Sequence, residues 1–132
     1  MLLAISIGLL IRLYCAFTYP IHPDEWYNLK MATIPSFDGL LAEWWAEPSV
    51  HPVGIYAINW VQIRLLGQNI GVLRLLSVFL STLTIIIVHR IASESFDQLV
   101  ADCSAWCTAL FSIFIETSAL VRGYPFLIFL SS

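Results

Sequence analysis

The chain has 132 residues, of which 59% are hydrophobic and only 11% are charged, and its formal net charge is −3. A soluble globular domain is about half apolar and about a quarter charged, so this composition indicates a membrane protein rather than an ordinary soluble domain. The small negative charge and the six scattered Lys and Arg residues exclude a nucleic-acid partner.

Three cysteines, Cys15, Cys103 and Cys107, all fall in apolar segments. An odd number of cysteines without a C-x-x-C pair argues against a disulfide framework and against a zinc site. No signal-peptide cleavage pattern follows the N-terminal apolar run. We therefore expect the first helix to stay in the membrane.

The first predicted element is a transmembrane helix over residues 1–19, a nearly unbroken apolar run that is long enough to cross a bilayer. Arg12 interrupts this run, and its long side chain is expected to snorkel to the lipid headgroups. Pro20 and Pro23 then end the helix.

Residues 20–70 are predicted to form a non-cytoplasmic loop. Residues 20–52 hold one Lys and five acidic residues, whereas cytoplasmic loops are enriched in Lys and Arg. Two amphipathic stretches, 25–34 and 37–45, suit helices that lie along the membrane surface with their tryptophan and tyrosine side chains at the interface. Residues 53–67 are apolar but short for a span, so an interfacial helix is favoured over a transmembrane one.

Three further apolar segments complete a predicted all-α membrane protein. Residues 72–91 and 100–116 are expected to be the second and third transmembrane helices, and residues 124–132 the start of a fourth. The chain is thus interpreted as a single transmembrane module with about four transmembrane helices, and with amphipathic juxtamembrane helices in its first non-cytoplasmic loop. Because the last helix is incomplete, a truncated chain is expected.

An acidic pair, Asp24 and Glu25, stands just beyond the first helix. Carboxylates at a lipid surface can act as a general base toward an acceptor hydroxyl or amine, or can hold a divalent cation. Two carboxylates supply too few ligands to require a metal, so metal dependence stays open. The alternative is structural: Asp24 would cap a short helix, and Glu25 would interact favourably with the helix dipole.

His51, Arg122 and Tyr124 are expected on the same side of the membrane as the acidic pair. A histidine, an arginine and carboxylates at one headgroup plane suit a lipid phosphate, because the cations would bind its oxygens while a carboxylate activates the nucleophile. Taken singly, His51 could be a capping residue, and Arg122 could contact lipid headgroups, as could Arg74. Glu116 could instead pair with Arg122.

Five motifs follow the first apolar helix in order: Asp24-Glu25, His51-Pro52-Val53-Gly54-Ile55-Tyr56, Arg64-Leu65-Leu66-Gly67-Gln68-Asn69, Val72-Leu73-Arg74-Leu75-Leu76-Ser77 and Arg122-Gly123-Tyr124-Pro125. This order resembles the N-terminal part of integral-membrane GT-C glycosyltransferases, in particular the protein O-mannosyltransferase and aminoarabinose-transferase group. The resemblance covers essentially the whole chain.

The resemblance implies a sugar donor carried on a polyprenyl phosphate or diphosphate, and transfer on the non-cytoplasmic face of a plasma or inner membrane. Asp24 would match the family's loop acid, which deprotonates or orients the acceptor, and Glu25 would support it. His51 and Arg122, with Tyr124, would face the lipid phosphate. No Rossmann or P-loop glycine pattern is present, so a nucleotide-sugar donor is not expected.

Enzymes of this group carry several more transmembrane helices, so the module is expected to be incomplete for catalysis by itself. One alternative is a non-enzymatic transmembrane subunit that keeps the glycosyltransferase fold and packs in a larger membrane complex. Another is a truncated reading frame without a function of its own.

Overall fold

The computed structural model describes residues 1–47 and 52–121. Their regular structure is helical, which confirms the predicted all-α class. The seven helices of these two ranges are α1 (Leu2–Thr18), α2 (Pro23–Ala32), α3 (Phe37–Ala46), α4 (Val53–Leu66), α5 (Ile70–Ser95), α6 (Gln98–Leu110) and α7 (Ser112–Ser118).

Local sequence signals explain where several of these helices begin. Three helices start after a side chain that accepts a hydrogen bond from the backbone N–H three residues on; these caps are Ser36 for α3, Asn69 for α5 and Asp97 for α6. Helix α2 instead begins at Pro23, a residue that suits the first helical position because its missing N–H would have no helical partner there. Asp24 therefore lies inside the first turn of α2. The structural alternative, in which Asp24 caps this helix, is wrong.

Helices α1, α5 and α6 pack together around small side chains. The centre of this bundle is a fully buried cluster of Ala4, Ile85, Ala105 and Ala109. Small residues let helix backbones approach closely, which favours association of helices in lipid. Gly8 belongs to the same contact, since a Cβ atom there would lie 3.0 Å from Ile85 Cδ1 and 3.2 Å from Ala109 Cβ.

Fewer than four candidate membrane-spanning helices are found among the described residues. Among the described residues, α5 alone is long and apolar enough to cross a membrane by itself; its 26 residues extend for about 39 Å against a hydrocarbon core of about 30 Å. Helices α6 and α7 pass the same test only as a pair bent by 52°, because Phe111 between them is extended. Helices α1 and α4, of 17 and 14 residues, are shorter. The prediction of about four transmembrane helices is therefore not confirmed, and the segment 100–116 is not one continuous helix.

Helices α2, α3 and α4 form a second layer beside the N-terminal end of α5. Two buried clusters hold this layer together: Ala32, Ile63, Leu73 and Val121, and Met31, Leu40 and Tyr56. Helices α2 and α4 run in the same direction. The rings of Tyr27 and Tyr56 meet near the helix starts, with centroids 6.0 Å apart, and Arg64 donates to the carbonyl of Ala32 at the helix ends.

Arg12 lies inside the bundle with 0% of its surface exposed, so the prediction that it snorkels to the headgroups is wrong. Its guanidinium donates to Ser81 Oγ at 2.9 Å and to three carbonyl oxygens, those of Gly8, Thr108 and Ala109. The physical reason is the break at Phe111. The last carbonyls of a helix have no helical donor, and Arg12 supplies donors to two of those at the end of α6.

Candidate functional site

Glu25 is fully buried, and its carboxylate accepts four hydrogen bonds. Arg74 donates from Nε to Oε1 at 3.0 Å and from Nη2 to Oε2 at 2.6 Å, which makes a two-point ion pair. The backbone N–H of Val121 donates to Oε1 at 2.7 Å, and that of His22 donates to Oε2 at 2.9 Å. Both the supporting role of Glu25 beside Asp24 and its direct participation in catalysis stay predictions.

Arg74, whose side chain is also fully buried, connects this carboxylate to the end of α1. Besides Glu25, it donates to three carbonyl oxygens, those of Ala16, Tyr19 and Pro20. The interpretation of Arg74 as a lipid-headgroup contact is therefore wrong. The guanidinium supplies donors where α1 ends and fixes the start of α2 against the second turn of α5.

The surroundings of Glu25 change its acidity in two opposed ways. Burial raises the pKa of the Glu25 carboxyl, because the charged form loses water. The hydrogen bonds from Arg74, from the N–H of His22 and from the N–H of Val121, together with the positive charge of Arg74, outweigh burial, and the pKa lies below its ordinary value. Glu25 is therefore ionised at neutral pH, as the ion pair requires.

We expect Glu25 to make the stability of the chain depend on pH. Because its pKa is lower in the folded chain, its contribution is complete above the ordinary carboxyl pKa of about 4.3 and is lost as the pH falls below that value. The thermal unfolding midpoint in mild detergent should therefore decrease as the pH is lowered from about 5 to about 3, a range around the ordinary carboxyl pKa. The decrease should be smaller in Glu25→Gln. The exposed Glu47 provides the control, since Glu47→Gln should keep the wild-type pH profile; identical profiles for both variants would contradict the prediction.

Val121 is held against α2 through both of its backbone polar groups. Its N–H donates to Glu25, and its carbonyl oxygen accepts a hydrogen bond from Asn28 Nδ2 at 2.9 Å. Its side chain is 2% exposed and packs beside Ala32. The residue that follows Val121 in the chain is Arg122.

A groove of about 610 Å³ runs along one side of α2. Its lining residues recur at helical spacing and are Pro23, Trp26, Tyr27, Lys30 and Thr33. The indole of Trp26 is 68% exposed, and Lys30 pairs with Glu43 of α3 at 3.4 Å. The groove thus offers aromatic faces and an ammonium group along the helix that contains the acidic pair.

The predicted site residues are only partly covered by the described residues. Glu25 is described completely, and Asp24 is placed in the first turn of α2. The side chain of Asp24 and the whole of His51, Arg122 and Tyr124 lie outside the described residues. Within residues 1–47 and 52–121, no group of three or more His, Cys, Asp or Glu side chains could hold a metal ion.

Three residues of this arrangement were not predicted from the sequence: Arg74, Asn28 and Val121. One signal for Arg74 was available. An ionisable residue inside an apolar helix usually has a specific partner, and the nearby acidic loop was the natural place to look for it. Neither Asn28 nor Val121 carried a comparable signal, because their contacts join residues that are far apart in the chain.

A comparison with known protein families identifies the class of protein to which this chain belongs. The sequence model of the family described as dolichyl-phosphate-mannose-protein mannosyltransferase matches residues 50–131, which is more than half of the chain. The match confirms the resemblance predicted from the order of the motifs, and it defines a glycosyltransferase-like membrane module. The chain belongs to this family. No curated protein and no solved structure matches it.

Proposed function

We propose that this chain forms the acceptor-activating and phosphate-binding part of a glycosyltransferase that uses a sugar carried on a polyprenyl phosphate. Asp24 is the general base, and His51, Arg122 and Tyr124 bind the lipid phosphate. Glu25 acts as the support that holds them together. The family's printed description, with its lipid-phosphate sugar and protein acceptor, supports both the donor class and the membrane setting.

The observation that carries this proposal is the hydrogen bond between Glu25 and Val121. The carboxylate of Glu25 accepts the N–H of Val121 at 2.7 Å. Asp24 precedes Glu25, and Arg122 follows Val121. Neighbouring Cα atoms are about 3.8 Å apart. The hydrogen bond between Glu25 and Val121 therefore holds the residue next to the proposed base, Asp24, against the residue next to the proposed phosphate ligand, Arg122.

The start of α4 supports the inclusion of His51. Pro52 immediately precedes α4, and Tyr56, one turn further on, contacts Tyr27 in the N-terminal half of α2. Since α2 and α4 run in the same direction, the start of α4 lies at the same end of the layer as the start of α2. His51 is the residue before Pro52.

The proposed reaction is a displacement at the anomeric carbon of the donor sugar. The acceptor hydroxyl oxygen forms a bond to this carbon while its proton passes to the Asp24 carboxylate. The bond from the anomeric carbon to the phosphate oxygen breaks, and the lipid phosphate leaves with the bonding electrons. Arg122 and His51 stabilise the negative charge that develops on the phosphate. The groove along α2 brings the acceptor to Asp24, with the Trp26 ring as a contact surface.

We place this reaction on the non-cytoplasmic side of a plasma or inner membrane. The loop that contains Asp24 carries five acidic residues and one Lys, which disfavours the cytoplasmic side. Helix α5 crosses the bilayer in this proposal, while α2, α3 and α4 lie at the interface. The exposed Trp26 and Trp45 side chains suit that depth.

The substitution Asp24→Asn tests the proposal. In membranes that contain the variant in place of the natural protein, transfer of a labelled sugar from a polyprenyl-phosphate donor should fall by at least about 100-fold. The reason is that the amide cannot accept the proton. The matched control is Asp38→Asn, which changes an exposed acid in the first turn of α3 and should leave transfer unchanged. Full activity of Asp24→Asn would refute the assignment of the base.

A further inference from the structure

Two buried side-chain amides carry polar atoms without a hydrogen-bond partner. Asn28 is 1% exposed and Asn59 is 5% exposed. Asn28 Oδ1, an acceptor, and Asn59 Nδ2, a donor, are unpaired among the described residues. Buried polar atoms in native proteins are nearly always paired, so these two complementary atoms call for an explanation.

From the helix packing we infer that these two amides face each other. Ala32 of α2 and Ile63 of α4 belong to one buried cluster. Asn28 and Asn59 each precede these residues by four positions, which is about one helical turn on the same face. Because α2 and α4 run in the same direction, the unpaired acceptor of α2 and the unpaired donor of α4 lie on facing sides of the two helices, one turn nearer to the acidic pair.

We propose that Asn59 is a positioning residue for the candidate site. After a small rotation of the two side chains, its Nδ2–H group donates to Asn28 Oδ1, so that each unpaired atom becomes the partner of the other. This contact fixes the orientation of the Asn28 amide, whose own Nδ2 donates to the carbonyl oxygen of Val121 at 2.9 Å. A hydrogen-bond chain from α4 through α2 therefore fixes the backbone that leads to Arg122.

The two ends of the Asn28 amide make this chain directional. With its oxygen bonded to Asn59, the nitrogen of Asn28 points to Val121. If a second acceptor replaces the donor at position 59, rotation of the Asn28 amide relieves the repulsion there but turns its oxygen toward the Val121 carbonyl. The hydrogen bond to Val121 is then lost. Asn59 thus controls a contact that it does not itself make.

Amide hydrogen exchange at Val121, measured on the chain in lipid nanodiscs, tests this proposal. The N–H of Val121 donates to Glu25, so its exchange reports how firmly this backbone is held. In Asn59→Asp, exchange at Val121 should accelerate by about tenfold, the equivalent of one lost hydrogen bond. The exposed Gln68 gives a matched amide-to-acid control, Gln68→Glu, which should not change the exchange rate.

A second variant covers the case in which Asn59→Asp does not fold. Asn59→Ser keeps a hydroxyl donor and should retain most of the protection at Val121, whereas Asn59→Ala should lose it. Equal protection in the Ser and Ala variants, or unchanged exchange in Asn59→Asp, would overturn the proposal.

The consequence for sugar transfer rests on the proposed function. There, Asn59→Asp should lower kcat more than it raises KM for the acceptor, and Asn59→Ser should restore most of kcat. The exchange experiment needs no sugar donor, so its result stands even if Asp24→Asn shows that the chain is not a transferase of the proposed kind.

Discussion

Arg74→Met is expected to lower the free energy of unfolding by about 3–5 kcal/mol, because it leaves the buried carboxylate of Glu25 without its cation. Arg74 and Glu25 are both 0% exposed, and their closest contact is 2.6 Å. The same substitution removes donors from the carbonyls at the end of α1. The effect should appear as a lower midpoint in denaturant titrations of the detergent-solubilised chain.

Helix α5 supplies a matched control for this substitution. Arg90 forms an ion pair with Glu94, but their side chains are 80% and 67% exposed. Such a surface pair contributes little to stability, so Arg90→Met should leave the unfolding midpoint nearly unchanged. Equal effects of the substitutions at Arg74 and Arg90 would show that burial of the Glu25 pair is not what stabilises this part of the fold.

The double variant Arg74→Met with Glu25→Leu separates the ion pair from the rest of the network. When both charges are replaced by apolar side chains, no charge is left buried alone. The double variant should therefore be more stable than the sum of the two single effects implies, by about 1–3 kcal/mol. Strict additivity would mean that the two side chains stabilise the chain independently.

The all-α fold class and the positions of most helices could be predicted because they depend on local sequence. The apolar run of α1, the long apolar run of α5 and the amphipathic stretches of α2 and α3 each carry their own signal. The length of α4 was likewise visible from Pro52 and Gly67, which flank it. Local patterns of this kind give elements and their ends, but not the partners that the elements find.

The candidate site could be predicted only as far as the acidic pair. Asp24 and Glu25 stand out because few charges occur in this chain. The partner of Glu25, however, is Arg74, 49 residues further on, and its second anchor is Val121, 96 residues further on. Those pairings follow from the way α1, α2 and α5 pack, and no periodicity in the sequence encodes that packing.

The sequence also contains no signal that predicts the break between α6 and α7. Residues around Phe111 are apolar, and no Pro or Gly marks the site, although these are common causes of kinks. What stabilises the break is a residue 99 positions earlier in the chain: Arg12 donates to the carbonyls of Thr108 and Ala109. An arginine that looks like an interruption of α1 is therefore part of the structure of another helix.

Arg12→Met is expected to destabilise the chain by about 2–4 kcal/mol, because charge-assisted hydrogen bonds are lost and carbonyl oxygens are left unpaired in an apolar interior. Methionine keeps most of the side-chain volume, so a cavity contributes little. Arg12→Lys should recover only part of the loss, since one ammonium group cannot reproduce the planar fork that reaches Ser81 Oγ and the carbonyls of α6. Denaturant titration in detergent gives the stabilities of all three proteins.

A spectroscopic distance measurement shows whether the loss is local to the break. Spin labels at Leu99 and Ile113, both exposed, report the angle between α6 and α7. In Arg12→Met the distance distribution should broaden, because the carbonyls of Thr108 and Ala109 lose the donors that hold the break in one geometry. An unchanged, narrow distribution together with wild-type stability would mean that the bend is set by packing at Phe111 and that Arg12 only follows it.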